Sequence, residues 1–539
     1  MKKGNVSIAS LRLDKDYRIG EAKDTLYGDF HQTSPEGLPF YRPESPLSGP
    51  SGFRQDYIDE INRYNMGIIR FPGGSNMCFY NWKDGIGPRE ERIARVYYIG
   101  GQPDKMLVGL DECFELARLM GAKVMLDIRA GFASASLTEL YDELEYCLGK
   151  GGTYWSDKRI ANGHKEPYEI PYICIGNEED GPWEFAQHTP ESYGHFAREA
   201  AKLIKNFDPS IKVIVCGTSN PSVPTYPEWD RIVLDMAFEY VDYLSIHYIR
   251  ACDPSFKMGI PEPPLGVEDL GYISKEFSDF IEAAQAVITF VKAKHRSQKD
   301  IKLSIEEWFK PGAPDKIPAD LSWSEKAELS DSDWEALGGR GPNSIDMFIR
   351  IQNMFDLLLY VQDYITILNH TDSVEISTGG FRNNLTIGKE SLLKTCTYYA
   401  AELLSHYGRG YVLRGLLESP THQTERWGEV PSLKAAAVYN EEKEEVSVFA
   451  INMNLREEIP LDIVLTGFED SALIEHVEIW DKEPMAGNSF THPDRILPKR
   501  LPTGEKIALQ PLSFHFLRFS VNKKAKDLHG ITLLNSEEE

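Results

Sequence analysis

The sequence predicts an α/β fold in which a (β/α)8 barrel is followed by an all-β sandwich. From about residue 26 to residue 400, short apolar runs alternate with amphipathic segments, and after about residue 410 alternating strands with turn signals take over. The first pattern is typical of βα units around a parallel sheet, and the second is typical of antiparallel sheets. At 539 residues, the chain is also long enough for two or more domains.

Eight runs are predicted to be the barrel strands because each is short, apolar and bounded by polar or turn-forming residues. They are residues 26–32, 67–74, 123–130, 172–178, 213–219, 242–248, 303–309 and 364–370. The segments between them have helical periodicity; Phe196, Ala200 and Leu203, for example, lie on one face of a helix that ends at Asp208. A doubly wound open sheet would also alternate, but the first βα turn lacks the glycine-rich dinucleotide fingerprint.

Changes in composition suggest where the domains begin and end. Residues 19–408 are expected to form the barrel, residues 409–525 the sandwich, and residues 526–539 a frayed tail. Residues 433–454 resemble a β-hairpin within the sandwich. The long polar stretch 310–344 interrupts the barrel after its seventh strand, and loops of that length are often functional.

Charge and cysteine usage exclude several classes of function. The net charge is −25, from 58 Lys and Arg against 83 Asp and Glu, so nucleic acid and anionic membranes are unfavourable partners. The seven cysteines are scattered without a CxxC pair, which argues against structural zinc and disulfides. No signal peptide and no membrane-length apolar run is visible. We therefore expect a cytoplasmic protein without a metal or another cofactor.

Two carboxylates stand out among the polar residues at the predicted strand ends. Glu178 follows strand four in "YICIGNEEDGPWEF", and Glu307 lies in strand seven in "SIEEWF". In a closed barrel these strands lie on opposite walls, so the two side chains can meet across the mouth. Two facing carboxylates are what glycoside hydrolysis requires, and a separation of about 5 Å indicates retention of configuration. Structural, ion-paired acids are the alternative interpretation.

Several segments together resemble family 51 glycoside hydrolases, the α-L-arabinofuranosidases, in order and spacing. They are "RFPGG", "YNWKDGIGPREER", "YICIGNEEDGPWEF", "GTSNPSVPTYPEWD", "DYLSIHY" and "SIEEWF". The resemblance implies a barrel and a sandwich to which residues 1–18 contribute a strand. It also implies exo-acting, retaining hydrolysis of arabinose-containing oligosaccharides and a homo-oligomer, possibly a hexamer.

The same resemblance implies roles for individual residues. Glu178 would be the acid/base and Glu307 the nucleophile. Asn177 would hold the 2-hydroxyl of the sugar, and Arg70 would lie beneath the nucleophile and favour its ionised form. The remaining residues expected to bind substrate are Gln32, Ser75, Asn76, His247, Tyr248 and His370.

Three of these positions depart from the family pattern. Gln32 stands where the family has Glu, Ser75 where it has Asn, and His370 where it has Gln; the family's Tyr corresponds to Tyr248 or to Ile249. A metal site built on His247, Tyr248 and His370 would lack a clear carboxylate ligand, so hydrogen-bonding roles are favoured. The departures leave two alternatives open: hydrolysis of another furanoside, a xyloside or a glucoside, and a non-catalytic carbohydrate-binding protein.

Overall fold

A computed structural model gives the structure of most of the chain. It describes residues 8–31, 40–96, 103–131, 135–185, 187–249, 267–308, 352–379, 384–388, 391–468 and 470–521. The predicted excursion at 310–344 and the predicted tail at 526–539 lie outside these described residues.

Eight parallel strands form the predicted barrel, and neighbours in the sequence are neighbours in the sheet. The strands, numbered one to eight in chain order, are Gly28–Phe30, Ile68–Phe71, Lys123–Ile128, Tyr172–Ile175, Lys212–Cys216, Tyr243–Tyr248, Lys302–Trp308 and Val374–Ser377. Asp29 in strand one pairs with Gly379, just after strand eight, which brings the two ends of the sheet together. The predicted barrel and its first seven strands are confirmed.

The prediction for strand eight is wrong. Residues 364–370 overlap the helix Met354–Leu368 and the turn after it, and the eighth strand follows at Val374–Ser377. Every residue of this helix is buried, and it contacts both barrel helices and sandwich strands. Because the helix is covered on all sides, its polar residues Asp356, Gln362, Asp363 and Thr366 are buried as well. Its sequence therefore lacks the division into a polar and an apolar face that distinguishes a surface helix from a buried strand.

Helices surround the barrel. They are Gln55–Tyr64, Leu110–Met120, Leu137–Leu148, Tyr154–Ala161, Pro190–Phe207, Glu228–Ala237, Leu270–Lys294, Met354–Leu368 and Cys396–Tyr407. Short 3-10 turns lie at Asp24–Leu26, Ser75–Cys78, Trp82–Gly85, Arg89–Glu91 and Val267–Asp269. None of the helices in the described ranges has the length and apolar character needed to cross a membrane.

Two sheets make up the predicted sandwich. The smaller has the strand order Leu416–Glu418, Ala9–Asp14, Ile459–Thr466, Ala508–Leu509. The larger has the order Arg18–Ala22, Gly410–Leu413, Leu433–Asn440, Glu445–Asn452, Ser513–Ser520, Ala472–Ile479, Lys499–Arg500. Two-stranded ribbons lie at Arg95–Val96 with Pro103–Asp104, Leu385–Ile387 with Leu392–Lys394, and Thr421–Thr424 with Gly428–Pro431. The predicted hairpin at 433–454 is present.

The first two described strands are part of the sandwich. Ala9–Asp14 pairs in parallel with Ile459–Thr466, and Arg18–Ala22 pairs with Gly410–Leu413. Leu11 and Leu13 are buried in the core between the two sheets. The first strands therefore tie the start of the chain to its carboxyl-terminal part, and the barrel strands begin only after this link.

Candidate active site

The turn after strand four carries the first candidate carboxylate. Strand four ends at Ile175, and Gly176 turns the chain with a φ of 86°. A Cβ on Gly176 would lie 2.5 Å from the Glu179 carboxylate and 2.8 Å from Ala130, so only glycine fits. Glu178 itself adopts a φ of 50°, a left-handed conformation that costs about 1 to 3 kcal/mol for a residue with a side chain. The surrounding contacts therefore hold Glu178 in place.

The two acids after Glu178, Glu179 and Asp180, stabilise this loop. The backbone N–H of Ser219 donates to Asp180 across 3.1 Å, and burial raises the pKa of Asp180 to about 6. Glu179 accepts from the backbone N–H of Asn177, and burial raises its pKa to about 8. These carboxyl groups link the loop to the end of strand five and to its own backbone.

A bulge in strand seven supplies the second carboxylate. Ile246 of strand six lies opposite Ile305, but the next residue, His247, lies opposite Glu307, so Glu306 is left without a counterpart. A bulge redirects the side chains beside it. Glu306 and Glu307, which an ideal strand would send to opposite faces, therefore both contact the same buried arginine.

That arginine is Arg70 of strand two, which is fully buried. Its Nε lies 2.7 Å from Oδ2 of Asp127 and 3.1 Å from Oε2 of Glu306, and its Nη1 donates to Oε1 of Glu307 across 3.0 Å. Burial raises the pKa of Asp127 well above its usual range in spite of the guanidinium. Burial acts in the same direction on Glu306, but Arg70 and His247 outweigh it and lower the pKa of that carboxyl.

Glu178 accepts two hydrogen bonds. The indole Nε1 of Trp183 donates to Oε2 across 2.6 Å, and Nδ1 of His247 lies 2.9 Å from Oε1. Burial alone would lower the pKa of His247, but the negative charges of Glu307, Glu178 and Glu306 raise it to about 10. His247 is therefore a cation at neutral pH and donates its Nδ1 hydrogen to Glu178.

The two candidate carboxylates face each other at short range. One oxygen of Glu178, one ring nitrogen of His247 and one oxygen of Glu307 all lie within 4.8 Å of one another. The same three groups could hold a metal ion, but Arg70 already donates to Glu307 and Trp183 already donates to Glu178. The distance instead fits a pair of carboxyl groups that act on opposite sides of one glycosidic bond with retention.

Comparison with known proteins identifies the family. Residues 60–252 match the family description "Alpha-L-arabinofuranosidase 1 domain", and residues 360–520 match "Alpha-L-arabinofuranosidase C-terminal domain". An "Intracellular exo-alpha-(1->5)-L-arabinofuranosidase" of Acetivibrio thermocellus is 32% identical over 501 residues, 91% of this chain and 94% of the relative. This chain belongs to the family 51 α-L-arabinofuranosidases. It is a glycoside hydrolase.

Two further relatives agree with this family assignment. The "Intracellular exo-alpha-(1->5)-L-arabinofuranosidase 1" of Bacillus subtilis is 31% identical over 95% of this chain and 98% of its own length. The solved structure of AbfB, a family 51 α-L-arabinofuranosidase from Bifidobacterium longum, has a TM-score of 0.82 at 26% identity and covers 95% of this chain and 99% of its own. The resemblance read from the sequence motifs is confirmed.

Three other residues expected to bind substrate lie on the loop of Glu178 or on the turn after strand two, which contacts that loop. Asn177 accepts from Nη2 of Arg70 across 2.7 Å, while its buried Nδ2 has no hydrogen-bond acceptor among the described residues. Asn76 is buried in the turn after strand two, and Ser75 forms a short hydrogen bond with Glu184. Gln32 lies outside the described residues.

Tyr248 and His370 do not lie at the site, contrary to the sequence prediction. Tyr248 points outward, where its hydroxyl donates to Glu276 across 2.7 Å and its ring stacks on Phe277 at 4.3 Å; strand alternation sends it away when its neighbour His247 points inward. His370 precedes strand eight, and its Nδ1 lies 2.8 Å from the carbonyl oxygen of Thr366. It therefore lies on the connection that enters the amino end of strand eight.

The structure brings in four residues to which the sequence assigns no role in the site. Asp127 and Glu306 flank Arg70, Trp183 donates to Glu178, and Glu184 bonds to Ser75. Asp127 is an acid within an otherwise apolar strand, which is a signal for a buried charge. The role of Glu306 depends on the bulge, which leaves no mark in the sequence.

Proposed function

We propose that this protein is a retaining exo-α-L-arabinofuranosidase that removes terminal arabinofuranosyl residues from oligosaccharides. The observation that carries this proposal is the short distance between Glu178 and Glu307, within 4.8 Å, at the carboxyl ends of strands four and seven. The names of the relatives, exo-α-(1→5)-L-arabinofuranosidases, support the choice of sugar.

In the first step, Glu307 attacks the anomeric carbon while Glu178 protonates the leaving oxygen. Arg70 donates to Glu307, so it holds the attacking carboxylate in position. Glu178 starts this step with a proton on its carboxyl group, while the charges of Glu307 and Glu306 keep His247 protonated. Glu178 becomes a carboxylate as the leaving alcohol departs. The His247 cation, 2.9 Å away, stabilises that developing negative charge.

In the second step, Glu178 acts as a general base, and water takes the place of the departed alcohol. Glu178, now ionised, accepts a proton from water, and the water oxygen attacks the anomeric carbon of the glycosyl ester. Glu307 leaves as a carboxylate, and Arg70 again pairs with it. Two inversions give net retention.

Asn177 supports recognition of the sugar. Its Oδ1 is held by Arg70, so the Nδ2 group has a fixed direction and remains available as a donor. A donor fixed in this way suits the 2-hydroxyl beside the reacting carbon, where a contact can strengthen as positive charge develops. Ser75 and Asn76 follow strand two and are proposed to contact the other hydroxyl groups.

A panel of substrates tests this function. Initial rates would be measured on 4-nitrophenyl α-L-arabinofuranoside and on matched furanosides, xylosides and glucosides, with α-1,5-linked arabino-oligosaccharides to distinguish release of monomer from internal cleavage. The arabinofuranoside is expected to give the highest kcat/KM, and proton NMR is expected to show the retained anomer first. A higher kcat/KM on a pyranoside, or first appearance of the inverted anomer, would contradict the proposal.

Two further properties belong to the proposal. The relatives named intracellular support a location inside the cell. A homo-oligomer, possibly a hexamer, is proposed from the family resemblance alone. Light scattering coupled to gel filtration tests it, because a monomer mass near 61.1 kDa would exclude it.

A further inference from the structure

Glu184 is another carboxyl group close to Glu178 and Glu307, and the two-step mechanism does not use it. It follows Trp183, the residue that donates to Glu178. Glu184 is only 6% exposed, and its backbone N–H bonds to the carbonyl oxygen of Gly181 across 3.1 Å. Its side chain reaches the turn after strand two, which makes it a direct link between the loop of the acid/base and that turn.

Two side chains of that turn contact the Glu184 carboxyl. Oε2 lies 2.9 Å from Sγ of Cys78, and Oε1 shares a short hydrogen bond with Oγ of Ser75. Burial together with the Glu184 charge raises the pKa of the Cys78 thiol, so the thiol keeps its hydrogen and donates it to Oε2. This contact leaves Oε1 as the carboxyl oxygen that carries the proton when Glu184 is neutral.

The charges around Glu184 favour that neutral form. Burial and then the negative charges of Glu178 and Glu307 raise the pKa of Glu184 to about 8, and the bonds from Cys78 and Ser75 oppose the shift only in part. The two cations of the site pair with other carboxyl groups: Arg70 contacts Glu307, and His247 contacts Glu178.

We propose that Glu184, in its protonated form, is a positioning residue that makes Ser75 a hydrogen-bond donor to the sugar. When Oε1 carries a proton, it donates to Oγ of Ser75, and the hydroxyl hydrogen of Ser75 points to the substrate. When Glu184 is ionised, Ser75 must donate to the carboxylate and offers only lone pairs to the sugar. This inference rests on the proposed function, because it takes the ligand beside Ser75 to be the sugar.

The experiment measures KM and kcat on 4-nitrophenyl α-L-arabinofuranoside from pH 6 to pH 9.5 for four proteins. They are the wild type, Glu184→Gln, Ser75→Ala and Glu143→Gln. Glu143 is a matched control because it is another buried acid whose pKa burial raises to about 8, but it lies in the helix Leu137–Leu148. Glutamine at position 184 keeps the shape of the acid and donates an amide hydrogen at every pH.

The expected result is a difference in the pH dependence of KM. The wild-type KM should rise about tenfold between pH 7 and pH 9 as Glu184 loses its proton. Glu184→Gln should give a KM that stays flat over the same range, while Glu143→Gln should follow the wild type. Ser75→Ala should have a raised KM at pH 7 and little further change at higher pH.

Two results would overturn the inference: the wild-type rise in KM persisting in Glu184→Gln, or a normal KM for Ser75→Ala at pH 7. Failure of the proposed function would look different, because the wild type would then prefer another glycoside, and the same series would be run on that glycoside. If the protein hydrolyses no glycoside, the kinetic series is replaced by calorimetry of L-arabinose binding to the same four proteins at pH 7 and pH 9.

Discussion

Arg70 and Glu307 form a hydrogen bond of 3.0 Å between Nη1 and Oε1, deep in the barrel. The same guanidinium lies 2.7 Å from Asp127 and 3.1 Å from Glu306, so one cation holds three acidic groups. Taking such charges out of water is costly unless they are paired. Arg70 therefore has two roles, since it stabilises the packed centre of the barrel and it holds the carboxyl group of the proposed nucleophile in place.

Replacing Arg70 with Met is expected to destabilise the protein as well as inactivate it. The substitution leaves the buried carboxylate of Glu306, whose pKa Arg70 lowers, without its cation, which costs about 3 to 5 kcal/mol. The apparent midpoint of thermal unfolding should fall by several degrees. Arg118→Met is the control, because Arg118 pairs with Glu115 on the surface, and its midpoint should match the wild type. A wild-type midpoint for Arg70→Met would contradict the role of the cluster.

Replacing Glu307 with Ala is expected to abolish the covalent route. Turnover should fall by roughly a thousandfold or more on every glycoside, because no glycosyl ester can form. Added azide should restore part of the rate by attacking from the vacated face, and the glycosyl azide should have the inverted configuration. Near-normal turnover, or an azide product with retained configuration, would show that Glu307 is not the nucleophile.

Replacing Glu178 with Ala should affect substrates according to their leaving groups. An oligosaccharide leaves as a poorly stabilised alkoxide and needs the acid, whereas an activated nitrophenol leaves unaided. Formation of the glycosyl-enzyme should therefore slow strongly only for the oligosaccharide. With the nitrophenyl substrate the intermediate should accumulate and azide should speed its release. Equal losses on both substrates, with no effect of azide, would exclude Glu178 as the acid.

His247 and His370 provide a matched pair of substitutions. His247→Gln removes the cation that contacts Glu178 and lies among three carboxylates, so kcat/KM should fall about ten- to a hundredfold. His370→Gln changes a residue that contacts Thr366 and Ser278 instead, so its kinetics should equal those of the wild type. A loss of activity in His370→Gln with wild-type stability would restore the sequence prediction for this residue.

The sequence predicted the positions of site residues correctly where strands and helices simply alternate. It did not where tertiary packing changes the local pattern. Glu178 and Glu307 stand directly after or within apolar runs, so their meeting follows from the barrel alone. His370 was misplaced because the helix Met354–Leu368 is buried on every side and has no exposed polar face that would identify it as a helix. The position of Glu306 depends on a bulge, and the bond between Ser75 and Glu184 joins residues more than a hundred positions apart.

The sandwich contains a buried histidine pair that the reaction does not use. Nε2 of His476 lies 2.9 Å from Nδ1 of His515, and Nε2 of His515 lies 3.0 Å from Oγ of Ser513. Burial lowers the pKa of His476 to about 4. Burial and then the charge of His476 lower the pKa of His515 well below its usual value. Glu478, 3.7 Å from His515, is itself shifted toward its neutral form because burial raises its pKa.

This histidine pair predicts a loss of stability in acid. Both folded-state pKa values lie below the unfolded value of about 6.5, so the unfolded chain binds more protons as the pH falls, and stability declines from about pH 6.5 toward pH 4. Buried acids such as Glu143, whose pKa is raised, give stability the opposite dependence on pH. The test therefore compares variants rather than the pH dependence of the wild type alone.

The midpoint of thermal unfolding should fall less between pH 7 and pH 4.5 in His476→Gln than in the wild type. His492→Gln, at an exposed position, should follow the wild type. An unchanged acid slope in His476→Gln would mean that the pair accepts protons without cost in the folded state.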